Sequence, residues 1–137
     1  MNPAQNPAQN PTQRPADTLL SFLAALDQLD AGAMGDCCSD GVTLVDEISR
    51  CWLRGRTEVE AYLLKTLAAT ETVKSQLGDI HCQQQAETAW ITAWLEQTYT
   101  FDGRQQHITA PTTAVLRLEG GKWKLVILHA LPLAAEA

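Results

Sequence analysis

Three long apolar segments follow one another in the last third of the chain, each closed by a turn that few residues can make. They read ETAWITAWLEQTYTF, RQQHITAPTTAVLRL and KWKLVILHALPL. Asp102-Gly103 separates the first two and Glu119-Gly120-Gly121 the last two. Asp-Gly and Gly-Gly favour tight hairpins because such turns need positive φ. The stretch from Thr88 to Leu133 is therefore a meander of consecutive antiparallel strands. Strict alternation in its last strand sends Trp123, Leu125, Ile127 and His129 to one face, and Val126, Leu128 and Ala130 to the other. In the first, Trp90 and Trp94 share one face while Tyr99 and Phe101 share the other. Both faces are apolar, so both should be covered.

The preceding chain supplies one cover. Residues 1–15 carry Pro3, Pro7, Pro11 and Pro15 at a period of four, with no large apolar side chain after Met1. Prolines so spaced interrupt a helix, and nothing there can build a core, so 1–15 is expected to be a disordered Pro/Gln/Asn-rich tail on a domain spanning 16–137. From Asp17 the period becomes helical: Leu19, Phe22, Leu23, Leu26 and Leu29 form one stripe, with Asp17 as a cap and Gly32 as a stop. AMGDCCSDG has room for one further helical turn. GVTLVDEIS reads as a strand and RCWLRG as its short return. Thr57 and Glu60 have the spacing of a capping box for a second long helix, whose inward stripe is Val59, Tyr62, Leu63, Thr66 and Leu67. ETVKSQLGD reads as a loop, and residues 80–86 as a weak strand leading into the meander. Helix, two strands, helix and four strands make an α+β fold, with helices on one side of a curved antiparallel sheet.

A chain of 137 residues is one domain by length. Its net charge of −6 argues against a general nucleic-acid or anionic-membrane surface, which needs a basic footprint. No apolar run reaches membrane-span length, and the first residues lack the pattern of a signal peptide, so a cytoplasmic location is expected. Cys37, Cys38, Cys51 and Cys82 are too few and too irregular for a disulfide framework and lack zinc-ligand spacing; they read as small buried or half-buried thiols.

LDAG near the end of the first helix, GVTLVDE, WLRGRTEVEAYL and the closing GGKWKLVILHALPL together resemble the nuclear transport factor 2-like superfamily, in its SnoaL-like branch, over about Asp17 to Leu133. The closing strand is also similar to the association domain of calcium/calmodulin-dependent kinases. The resemblance implies a cone: a curved antiparallel sheet with helices packed over its concave face and an apolar pocket at the wide end. It also implies a homodimer through the outer sheet face, which suits the apolar outer parity above. Between Gly32 and Val42 the chain is a few residues shorter than the family pattern, so the second helix should be truncated.

Ketosteroid isomerases of this superfamily use a carboxylate base at the end of the first strand, opposed by a Tyr and a protonated Asp. By that resemblance the base position falls on Asp46, the Tyr position on Ala25 and the acid on Ala114. Both oxyanion donors are missing, which argues against steroid isomerisation. Asp46 reads either as an acid–base group at the rim of an apolar hollow or as a strand-end carboxylate bonding a turn or Arg50, a role Glu47 could share. Tyr62 matches a pocket aromatic, Trp52 lies near the mouth, and with Leu116, Leu128 and Ala114 they form the expected pocket. His129 is expected on the dimer side or at the sheet edge as a packed, hydrogen-bonded structural residue, with His81 and His107 solvated. Nothing in the spacing calls for a metal or an organic cofactor. Two functions remain open: binding and turnover of a small apolar organic molecule by isomerisation, cyclisation or dehydration, or a non-catalytic association module.

Overall fold

A computed structural model describes residues 13–46 and 50–133, with the backbone alone for Asp46. Residues 1–12, and with them most of the expected tail, lie outside the described residues. The elements are α1 (Pro15–Asp27), α2 (Ala31–Asp36), β1 (Cys38–Asp46), β2 (Cys51–Arg54), α3 (Arg56–Ala68), β3 (Thr70–Gln85), β4 (Thr88–Phe101), β5 (Arg104–Glu119) and β6 (Lys122–Ala130). The strands form one sheet in the order β2-β1-β6-β5-β4-β3. This is the α+β architecture read from the sequence, with one correction. The sheet is mixed rather than purely antiparallel, because β1 lies parallel to β6. Hairpins impose antiparallel pairing only on strands adjacent in sequence, and β1 and β6 are joined through all the elements between them.

The helix ends depart from expectation for local reasons. Pro15 opens α1, where its missing N–H costs nothing, and Asp17 sits one turn in, its Oδ2 accepting from the Arg14 backbone N–H at 3.0 Å. Helix α1 stops before Gly32: Leu29 takes a φ of 57°, and Asp30 caps α2 by accepting from the Ala33 N–H at 3.0 Å. The expected Thr57/Glu60 box does not form at α3. There Gly55, at a φ of 89°, precedes the helix, Glu58 accepts from the Arg54 N–H at 2.6 Å, and Glu60 accepts from Arg56 Nε at 3.0 Å.

Two strands correct the sequence reading more substantially. ETVKSQLGD is not a loop but most of the first half of β3, which pairs with β4 from Thr70↔Phe101 to Gln85↔Thr88. Val73, Ser75 and Leu77 alternate there with exposed Thr72, Lys74 and Gln76. In β6 the pairing steps from Leu116↔Leu125 to Val115↔Ile127, so Val126 is a bulged extra residue. The bulge reverses parity along the strand. Trp123 and Leu125, expected on the outer face, are buried on the inner one with Leu128 and Ala130; Ile127 and His129 remain outside.

The helices cover the inner face, α1 against β3 and β6 and α3 against β1, β2 and β3. Leu19 and Phe22 of α1 and Val59 and Leu63 of α3 meet Ile91, Leu95, Leu116 and Leu125 from the sheet in one continuous core. The buried Thr18 hydroxyl donates to the Trp123 carbonyl at 2.9 Å, locking α1 to β6. No described helix is long and apolar enough to cross a membrane.

Candidate functional site

Between α1, α3 and the sheet the core does not close, leaving a cavity of about 190 Å³. Alternation along β4 puts Leu95, Gln97, Tyr99 and Phe101 on its floor, and β6 adds Leu128 and Ala130. Leu44 and Val45 of β1 and Val73 of β3 form the sides. The roof comes from Phe22, Leu23 and Leu26 of α1, Met34 of α2, and the helical stripe Tyr62, Leu63, Thr66 and Leu67 of α3. Most of this wall is aliphatic or aromatic, with a few polar groups. One of these, the Thr70 hydroxyl, already donates to the Thr66 carbonyl at 2.8 Å.

The five pocket residues expected from the sequence fall in three places. Tyr62 and Leu128 lie in the cavity wall. Ala114 and Leu116 belong to the same sheet face but are wholly buried in the packed core, without a share of the cavity. The bulge at Val126 explains this, because Leu125 closes over Leu116 where strict alternation would have turned it outward. Trp52 has no share of the cavity wall. It stands 49% exposed, its ring 6.3 Å from that of His129 on the outer face and the Arg54 guanidinium 5.8 Å from its centroid. Asp46 ends β1, paired through its backbone with Cys51 and one residue beyond Val45 of the wall. Ala25 is buried core, so no phenol occupies that position.

Three wall residues from β4, Gln97, Tyr99 and Phe101, escaped the expected pocket. For Tyr99 and Phe101 the signal was the parity opposite to Trp90 and Trp94. Gln97 shares that parity, but a glutamine in a long strand gives no sign of burial, and here it is only 9% exposed. Its Nε2 donates to Ser75 Oγ at 3.0 Å. Ser75 in turn donates its hydroxyl to Asp27 Oδ1 at 2.8 Å and its backbone N–H to Asp27 Oδ2 at 3.0 Å. A polar chain thus runs from the end of α1 through β3 to the cavity wall.

The remaining titratable groups lie elsewhere. His81 contacts Asp79 at 3.0 Å and His107 contacts Thr98 at 2.9 Å, both pairs exposed. Among the described residues no three His, Cys, Asp or Glu side chains converge as metal ligands. Burial pushes the Cys38 thiol up to about 12, helped by neighbouring Cys37, while Cys37 is itself raised by burial. These are packed thiols, far from nucleophilic range.

A helix-roofed mixed sheet enclosing an apolar cavity defines the nuclear transport factor 2-like class of fold. The chain belongs to the SnoaL-like domain family, whose sequence profile matches residues 16–133. No curated protein matches it in sequence. Solved structures share its fold. A candidate dehydratase of the same class from Streptomyces avermitilis superposes with a TM-score of 0.78 at 22% identity, covering 88% of this chain and 94% of that one. A ketosteroid isomerase-like protein from Erwinia carotovora atroseptica gives 0.75 at 17%, over 88% and 94%. A candidate calcium/calmodulin-dependent protein kinase II association domain from Xanthomonas campestris gives 0.73 at 19%, over 97% and 92%.

Proposed function

We propose that the chain binds a small, largely apolar organic molecule of one or two rings in this cavity, and that Asp46 supplies the acid–base group for its isomerisation, cyclisation or dehydration. The observation that carries the reading is the cavity itself. A void of about 190 Å³ exceeds the ~150 Å³ that holds benzene in an engineered apolar cavity, and its walls combine aliphatic and aromatic surface with a few polar groups. The place of Asp46 in the chain supports the second half: it directly follows wall residues Leu44 and Val45, and a carboxyl group is a common general acid–base group. Ala25 and Ala114 supply no oxyanion donors, which argues against steroid isomerisation. Tyr62 and Tyr99 carry the phenols of the wall.

Mass spectrometry of the purified protein, followed by NMR titration with one- and two-ring compounds, tests the reading. Binding should be lost in Leu128→Trp, which fills the cavity. For any compound turned over, Asp46→Asn should lower kcat at least a hundredfold while changing affinity less than about threefold. Equal turnover by the Asn variant would remove Asp46 from its role.

The sheet's outer face supports a second element of function. Trp90, Trp94 and Ile127 stand there at 36%, 42% and 39% exposure, and no described element covers them. A second copy of the chain packed on this face forms a homodimer. If the cavity proves closed to every ligand, that assembly is the function.

A further inference from the structure

We infer that Gln97 is a fixed hydrogen-bond acceptor for the molecule in the cavity, so that this molecule carries an N–H or O–H donor on its ring. The inference rests on the ligand-binding reading above and narrows it to a chemical class.

The direction of the Gln97 amide follows from two groups behind it. Asp27, the last residue of α1, accepts both the backbone N–H and the hydroxyl of Ser75, at 3.0 and 2.8 Å. A serine hydroxyl has a single hydrogen, and the carboxylate takes it. Ser75 Oγ then has only lone pairs left to offer. Gln97 lies directly opposite Ser75 in the β3–β4 register and meets that oxygen at 3.0 Å. It must therefore present an N–H, which settles the amide orientation that distance alone leaves open. Nε2 is held against β3, and Oε1 is left as the other end of the carboxamide. No described residue donates to Oε1, although Gln97 is 9% exposed and lines the cavity. A buried carbonyl oxygen without a donor is costly, and a ligand that brings one removes the cost. A ligand offering only acceptors meets a carbonyl that cannot turn away without breaking the Ser75 contact. Gln97 is thus a specificity residue, and Ser75 and Asp27 are positioning residues behind it.

Indole and benzofuran provide the test, since they have nearly the same shape and differ in an N–H donor against a ring oxygen. Their affinities are measured by NMR titration on the whole chain and on variants. The ratio of indole to benzofuran affinity should be about three to ten times larger in the unaltered chain than in Gln97→Met. Ser75→Ala frees the amide to rotate and should lower the ratio in the same direction, while Ser75→Thr keeps the hydroxyl and should preserve it. A merely structural role for Ser75 would move stability without moving this ratio. Should Gln97→Met fail to fold, the two Ser75 variants decide. If both rings bind but the ratio is the same in all variants, the assignment of Gln97 falls and the ligand-binding cavity stands. If neither ring binds the unaltered chain, both fall.

Discussion

Cys38 shows how one side chain ties packing to a measurable pH response. It is 1% exposed, its Sγ 3.5 Å from the Met34 carbonyl, and burial raises its thiol from 9.0 to about 12. The folded state thus holds a proton that the unfolded state gives up earlier. The stability this confers is complete below pH 9 and is lost as pH rises towards 12. Urea unfolding at pH 8 and pH 10 should show the unaltered chain losing about 1.4 kcal/mol more than Cys38→Ala. Parallel pH profiles for the two would contradict it. Legibility was uneven at this scale. Cys38 reads as a packed thiol from the sequence, and Tyr62 and Leu128 were placed by likeness to a family pattern. The position of Gln97 was not readable, because its orientation depends on Ser75, 22 residues away, and through it on Asp27, a further 48 residues back.

Among the elements, β6 decides which residues reach the cavity. Its bulge keeps Trp123 and Leu125 on the same face as Leu128 and Ala130. Deleting Val126 would remove the bulge and leave Leu125 opposite Leu116, Ile127 opposite Val115 and Leu128 opposite Ala114, so that Leu128 and Ala130 keep their inward face and His129 its outward one. We expect the deletion to cost less than about 2 kcal/mol in unfolding free energy, because no inward side chain of the strand changes face. Val126→Ala, which keeps the residue count, should cost about 1 kcal/mol. A loss above about 3 kcal/mol for the deletion would mean that the bulge, and not only the facing of its neighbours, holds the strand in place. A one-residue bulge has no composition of its own, which is why alternation misassigned Trp123 and Leu125. The first half of β3 was hidden for a different reason. It is an edge strand paired only with β4, so Lys74 and Gln76 stay in water, and its apolar side is reduced to Val73 and Leu77. The meander of β4 to β6 was legible because its strands are long, apolar and joined at positive-φ residues, among them Gly103, Gly120 and Gly121.

At the level of the whole molecule, the two faces of the sheet differ. The inner face builds a cavity under the helices. The outer one presents Trp90, Trp94 and Ile127, with Trp52 set against His129 nearby. A patch of this kind fits an isologous dimer, in which each copy offers the same surface to the other. Light scattering should give twice the monomer mass, and Trp90→Glu combined with Trp94→Glu should halve it while leaving indole affinity within about twofold. A monomeric unaltered chain would remove the dimer. The parallel contact between β1 and β6 has a bearing on how the protein is made. Strand β6 stands inside the sheet, flanked by β1 and β5, although it follows every other described strand in the chain. Until it arrives, β1 and β2 have no neighbour to join and the sheet remains in two pieces. Synthesis must therefore reach the final strand before the native topology can close, and a chain cut short before Lys122 would lose the seam of the molecule rather than its margin.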